Sequence, residues 1–178
     1  MESIYEPILS GTDLWDNDIY NFLPTYFADA GAAISSFLIA FIVAAVFLVI
    51  FYFIFGMGFP KIGENIWVWV ICLGASFGVT WVLTDVMIIG DPDTPSGIYE
   101  HIDNQMQDEV LPNAGGDQNA IQAANAQRDM MVQEIHDGCG FTLSLLLFNS
   151  FLAFFVYGLG SLGCKRLSKY GKNVPVSW

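Results

Sequence analysis

Positive charge is scarce in this sequence, which has six Lys and Arg residues against 18 Asp and Glu residues in a chain of 178. The formal net charge at neutral pH is therefore −12. Proteins that bind nucleic acid need clustered cations, because those cations neutralise the phosphates. We therefore expect no nucleic-acid partner.

Residue spacings typical of a metal site are missing as well. The two histidines, His101 and His136, lie far apart, and no two cysteines have the Cys-x-x-Cys spacing. Acidic residues flank both histidines, but neither histidine lies in an apolar run where it could ligate haem between membrane helices. We expect no enzyme activity, no cofactor and no metal ion.

The cysteine content is low and the count is odd. Cys72 lies inside the second apolar run, whereas Cys139 and Cys164 lie at opposite ends of the third. An intrachain disulfide needs Cα atoms within roughly 4.4–6.8 Å, so we expect structural thiols instead. Two alternatives stay open: Cys139 could bridge two copies of the chain, and Cys164 could be acylated.

Long apolar runs dominate what is present, since 54% of the residues are apolar and only 13% are charged. Three runs exceed the roughly 20 residues that a helix needs to cross the hydrocarbon core of a bilayer. These runs cover 30–60, 65–90 and 138–164. The predicted fold is therefore an all-α integral membrane protein with three transmembrane helices.

The distribution of Lys and Arg predicts the orientation, because cytoplasmic segments next to membrane spans are enriched in these residues. An external N-terminus places Lys61 and the four cations of the C-terminal tail in the cytoplasm and leaves only Arg128 outside. We expect a plasma or inner membrane location, with a first span that is retained as a signal-anchor.

This orientation divides the chain into seven predicted regions. In chain order they are an extracytoplasmic interfacial segment (1–29), transmembrane helix 1 (30–59), a cytoplasmic turn (60–65), transmembrane helix 2 (66–90), an acidic extracytoplasmic loop (91–138), transmembrane helix 3 (139–163) and a basic cytoplasmic tail (164–178).

The acidic loop has the pattern of a helical hairpin. Apolar residues recur every fourth position in its first half, at Ile98, Ile102, Met106 and Val110, and so share one helix face. A Gly-rich turn at 112–116 follows, after which Asp117 can cap a second helix. Such a hairpin is too small to bury its own apolar face, so it should rest on the N-terminal segment, on the membrane or on a partner.

Residues 1–29 are acidic but too rich in large apolar side chains for a disordered tail. Their Trp and Tyr content favours an interfacial position. We expect the segment to pack on a protein surface, because anionic lipid would repel its acidic residues. We predict partner docking by Trp15 and Tyr20 of this segment together with Ile98, Ile102 and Met106.

Small residues in the apolar runs predict close helix packing in lipid. The predicted packing residues are Ala32, Ser36, Ala40 and Ala44 in the first run, Gly74 and Gly78 in the second, and Asn149 in the third. Whether these faces contact one another or another subunit stays open.

Asp85 is a candidate intramembrane polar site, because it interrupts the outer end of the second apolar run. The alternative is that the helix ends near Thr84 and Asp85 lies among the lipid headgroups.

These features predict a non-enzymatic structural or assembly subunit of a larger membrane complex, whose partners are the bilayer and other membrane subunits. The alternative is a pore-forming or permeation protein that acts as an oligomer. The span count and the basic tail resemble the gross topology of one class of phage holins, although the loop of about fifty residues departs from those compact proteins.

Overall fold

The structure is a computed structural model that describes residues 5–28, 31–58, 66–94, 96–138 and 140–167. Within these ranges 85% of the residues are helical and no strand is present, so the predicted all-α class is confirmed. The predicted cytoplasmic turn, Cys139 and most of the predicted tail lie outside the described residues.

The helices follow one another with short connections. Within the described ranges they are α1 (Glu6–Leu9), α2 (Asp13–Asp16), α3 (Phe22–Ala28), α4 (Ala32–Val49), α5 (Ile66–Thr84), α6 (Gly97–Gln105), α7 (Leu111–Asn113), α8 (Gln118–His136) and α9 (Gly140–Leu167). Three helices continue as wider π-helical turns, namely α4 through Ile50–Gly58, α5 through Asp85–Ile89 and α6 through Met106–Val110.

Three helical stretches are long and apolar enough to cross a membrane. They cover Ala32–Phe55, Ile66–Ile89 and Gly140–Cys164, with 24, 24 and 25 residues. At about 1.5 Å per residue each exceeds the roughly 30 Å hydrocarbon core. The prediction of three membrane-length apolar helices is therefore confirmed, and the chain is consistent with a multi-pass membrane protein.

Side-chain exposure along these three helices is the reverse of that in a soluble protein. Among the described residues, all exposed large apolar side chains except Ile19 and Met130 belong to them. Several of their polar side chains point inward, since Ser76, Thr80 and Asn149 are fully buried, whereas Ser35 and Asp85 are exposed. A surface of this kind suits lipid, which solvates apolar side chains and offers no partner to polar ones.

The chain divides into two compact units. Unit 1 comprises Met1–Ser36 and Leu83–Leu146, and unit 2 comprises Phe37–Val82 and Leu147–Trp178. Unit 1 contains 17 of the 18 acidic residues and a single cation, Arg128, whereas unit 2 contains one acidic residue and five cations. Acidic residues are thus concentrated in unit 1 and basic residues in unit 2.

Small side chains let the helices of unit 2 pack closely. Ala40 and Ala44 of α4 are fully buried in one apolar cluster with Ala153 of α9. A Cβ atom at Gly160 would overlap the side chain of Leu48, so glycine permits the approach of α9 to α4 at this level.

Polar groups inside unit 2 bond to Ser161 of α9. The Tyr52 hydroxyl donates to the carbonyl oxygen of Ser161 at 2.8 Å, and Trp69 Nε1 donates to the Ser161 hydroxyl at 3.0 Å. These bonds connect α9 to the π-helical end of α4 and to α5. They satisfy polar groups that lipid would leave without partners.

Candidate docking surface

The N-terminal segment folds into short helices, and Asp18 organises the start of α3. Its carboxylate Oδ2 accepts the backbone N–H of Leu23 at 2.7 Å. Burial raises the pKa of Asp18, although nearby backbone N–H groups oppose this shift. Asn21 takes the left-handed conformation with φ 57°, which Asn tolerates better than most residues.

An aromatic cluster fixes the segment within unit 1. The ring of Phe27 lies 5.5 Å from Tyr5, 6.2 Å from Trp15 and 6.1 Å from Phe141, measured between centroids. Phe27 and Phe141 are fully buried, and Phe141 belongs to the first turn of α9. The aromatic content that predicted an interfacial segment thus packs on this chain itself.

Polar side chains connect α3 to α6. The Thr25 hydroxyl lies 3.0 Å from His101 Nε2 and 2.8 Å from Gln105 Oε1. Because a hydroxyl has one proton, Thr25 can donate it to Gln105 while accepting from His101. The Tyr26 and His101 rings are 5.2 Å apart. His101 therefore serves the packing of the N-terminal segment on α6.

Tyr26 contacts the C-terminal end of the second membrane-length helix. Its hydroxyl donates to the carbonyl oxygen of Ile88 at 2.7 Å. The last carbonyls of any helix lack intrahelical partners, and Ile88 is one of them. Burial, with a contribution from the charge of Glu100, raises the pKa of Tyr26 to about 12, so the hydroxyl stays protonated at physiological pH.

Two glycines allow a tight connection between this helix and α6. Gly90 and Gly97 have φ values of 86° and 59°. A Cβ at Gly97 would lie 2.6 Å from the carbonyl oxygen of Ile88 and 2.8 Å from that of Ile89. Only glycine fits both the conformation and the space at this position.

Helix α8 is joined to the rest of unit 1 by polar contacts. Arg128 donates from Nε and from Nη2 to Asp103 Oδ1 at 2.8 and 2.7 Å, and from Nη1 to Asp129 at 2.8 Å. Gln127 Nε2 donates to the carbonyl oxygen of Asn17 at 2.6 Å. The Asp117 carboxylate accepts the N–H of Asn119 at 2.9 Å, which confirms the predicted cap.

The five predicted docking residues are not equally accessible. Ile98, Ile102 and Met106 are buried inside unit 1, whereas Trp15 and Tyr20 are half-buried. The three α6 residues present no surface to a partner, because the remainder of unit 1 covers the face they share. The burial of these three side chains counts against a direct role in docking, and docking by the five residues stays a prediction.

The predicted helix-packing residues fall into two groups. Ala32, Ser36, Ala40, Ala44 and Asn149 are buried. The other two, Gly74 and Gly78, are exposed, and a Cβ built on either would have no atom within 4 Å. Asp85, the candidate polar site, is also exposed at the start of the π-helical turn.

Two glycine-containing sequences match enzyme motifs in their letters alone. Residues 74–78 read G-x-S-x-G, and residues 158–163 read G-x-G-x-x-G. Both motifs need a strand, a turn and then a helix, but these segments lie inside α5 and α9. Ser76 is buried and its hydroxyl donates to the Leu73 carbonyl oxygen at 2.8 Å. Neither segment has the context for catalysis or dinucleotide binding.

A surface groove of about 410 Å³, named here the Ile19 groove, lies on unit 1. It is lined by the turn at 19–21, by Gln105, Glu109 and Val110 of α6 and its π-helical end, and by Ala120 of α8, among others. Sequence patterns did not indicate this groove, because it forms where three segments distant in the chain meet.

Comparison with protein-family models, with curated proteins and with solved structures finds no match to this chain.

Proposed function

We propose that this protein is a non-enzymatic structural or assembly subunit of a larger membrane complex, which docks partners through the acidic face of unit 1. The observation that carries the proposal is the separation of charge: unit 1 contains 17 acidic residues and one cation. An acidic surface of this size repels anions and attracts cationic protein surfaces.

The same separation supports the proposed topology. Five of the six cations belong to unit 2, at Lys61 and in the segment from Lys165 to Lys172. By the positive-inside rule these cations are cytoplasmic, and the N-terminus and the loop at 91–138 are extracytoplasmic. In this proposal α6 and α8 form a helical hairpin outside a plasma or inner membrane.

Internal contacts of unit 1 support docking because they fix its surface in advance. Thr25, Tyr26, Gln127 and Arg128 each bond to an element distant in sequence. A surface that is already ordered loses less conformational entropy on binding than a flexible loop does.

Exposed small residues in α5 support contacts inside the membrane. Gly74 and Gly78 lie one turn apart, and the space beside both is open. A helix of another subunit can approach a surface of this kind closely, and van der Waals packing then stabilises the pair.

The burial of polar residues distinguishes this proposal from the alternative of an oligomeric pore. A pore that forms around polar positions needs them on the surface of each subunit. In unit 2, Ser76, Thr80, Asn149 and Ser150 are all fully buried. Asp85 of unit 1 is exposed, so conductance of the purified protein in planar bilayers that is lost in Asp85→Asn or in Asn149→Leu would favour the pore instead.

Purification from native membranes in mild detergent tests the subunit proposal. We expect the chain to elute with at least one other membrane protein, at a mass by light scattering well above that of the 19.7 kDa chain in its micelle. A stable, monodisperse monomer with no co-purifying protein would contradict the proposal.

A further inference from the structure

The Ile19 groove combines an exposed apolar side chain with a concave surface. Ile19 is 77% exposed, whereas the other exposed large apolar side chain outside the membrane-length helices, Met130, is 40% exposed, among the described residues. Met130 does not line the groove. An apolar side chain that lines a concave surface can act as the anchor of a protein contact.

The charge of the groove lining and of the adjacent sequence is negative. Glu109 is the charged residue among the described residues that line it, and the acids Asp16, Asp108 and Asp117 lie within three residues of its lining in sequence. The single cation of unit 1, Arg128, is already bonded to Asp103 and Asp129. An anionic occupant would therefore be repelled, and a cationic one attracted.

The side chain of Gln105 bridges two of the segments that line the groove. Gln105 Nε2 lies 3.4 Å from the carbonyl oxygen of Tyr20 and 3.4 Å from Glu109 Oε2. Gln105 thus connects the turn at 19–21 to the π-helical end of α6. Both Gln105 and Glu109 line the groove.

We propose that the Ile19 groove binds a cationic amphipathic segment of a partner protein. An apolar side chain of that segment packs on Ile19, and a Lys or Arg side chain pairs with Glu109. The negative charge of unit 1 favours a positively charged partner segment, and the exposed Ile19 side chain favours an apolar residue within that segment. This inference rests on the proposed docking function, of which it names the site and the kind of partner.

Peptide binding tests the chemistry of the groove. The full chain is reconstituted in nanodiscs of phosphatidylcholine, which has no net charge. Fluorescence anisotropy measures the affinity of the chain for a short amphipathic peptide of Lys and Leu, and for the same peptide with Glu in place of Lys. We expect Ile19→Ser to lower the affinity for the Lys peptide roughly tenfold, and Glu109→Gln to lower it about two- to fivefold.

Matched controls separate the groove from the general charge of unit 1. Met130→Ser removes another exposed apolar side chain, and Glu134→Gln another acid; neither residue lines the groove. We expect both to leave affinity unchanged. Equal binding of the Lys and Glu peptides, or equal losses in Ile19→Ser and Met130→Ser, would overturn the inference.

Photocrosslinking in native membranes tests the partner itself. A benzoylphenylalanine at position 19 should crosslink to a segment of another protein that carries Lys or Arg beside apolar residues, and the same group at position 130 should not. Crosslinks from position 19 only to lipid, to a second copy or to an uncharged segment would overturn the inference.

The two proposals fail in different ways in this experiment. A partner captured at position 130 but not at position 19 would overturn the groove assignment while unit 1 remained a docking surface. A chain that captures no protein from either position and purifies alone would overturn both.

Discussion

The hydroxyl of Tyr26 provides a sharp test of how unit 1 is held together. Tyr26→Phe removes the 2.7 Å hydrogen bond to the carbonyl oxygen of Ile88 and keeps the ring that contacts His101. A buried acceptor that loses its donor costs about 1–3 kcal/mol. We expect the variant to lower the free energy of unfolding of unit 1 by this amount at pH 7.

The same group makes the effect dependent on pH. Burial raises the pKa of Tyr26 from 10.0 to about 12 in the folded protein. Because the pKa is higher in the folded than in the unfolded state, the contribution of the Tyr26 hydroxyl to stability is complete below pH 10. It is lost as the pH rises toward 12. Two pKa units correspond to about 3 kcal/mol, so the advantage of wild type over Tyr26→Phe should disappear across this range.

The assay is a urea titration in detergent, followed by ¹⁹F NMR of protein labelled with 5-fluorotryptophan. The resonance of Trp15, which contacts Phe27, reports the unfolding of unit 1. Tyr20→Phe is the control at pH 7, since this half-buried tyrosine should tolerate the change. Equal stability of wild type and Tyr26→Phe at pH 7, or a gap that grows above pH 10, would refute this reasoning.

Three other substitutions test separate parts of the structure. Gly97→Ala should destabilise unit 1 by more than Gly115→Ala, because both glycines have φ near 58° but only Gly97 faces carbonyl oxygens. The left-handed conformation alone costs an alanine about 1–2 kcal/mol at either position. Equal melting temperatures of the two variants would contradict the additional clash at Gly97. Arg128→Gln should lower the free energy of unfolding by about 0.5–1 kcal/mol, since the contacts of Arg128 with Asp103 and Asp129 are partly exposed. This loss should shrink in high salt, which screens exposed ion pairs. A loss that does not depend on salt in urea titrations would argue against ion pairing. Ala44→Leu should destabilise unit 2 by about 1–3 kcal/mol through overpacking, whereas the same change at half-buried Ala45 should have a smaller effect; thermal unfolding in detergent distinguishes the two.

The features that the sequence predicted well depend on neighbouring residues. Length and apolar content alone define the three membrane-length helices, and no tertiary contact is needed to recognise them. The cap at Asp117 is equally local, because its carboxylate bonds to the N–H of Asn119 two residues later. The end of α8 is also a local feature, since Gly138 has a positive φ of 72°, which is typical of a C-terminal stop.

What covers the apolar face of α6 depends on distant residues, which explains why the sequence alone left three alternatives open. Periodicity showed that Ile98, Ile102 and Met106 share a face, and did not show what covers it. In the structure these residues are buried, and Thr25 bonds to Gln105 of the same helix across 80 positions. Contacts of this kind depend on the fold and leave no local signal in one sequence.

Zero-length crosslinking of the native complex tests the central claim most directly. A carbodiimide joins a carboxylate to a lysine amine with which it is in contact, and unit 1 contains 17 carboxylates but no lysine. We predict crosslinks from acids of unit 1, Glu109 among them, to lysines of another protein. A complex whose crosslinks to other proteins all come from unit 2, or a chain that forms none, would contradict docking through the acidic face.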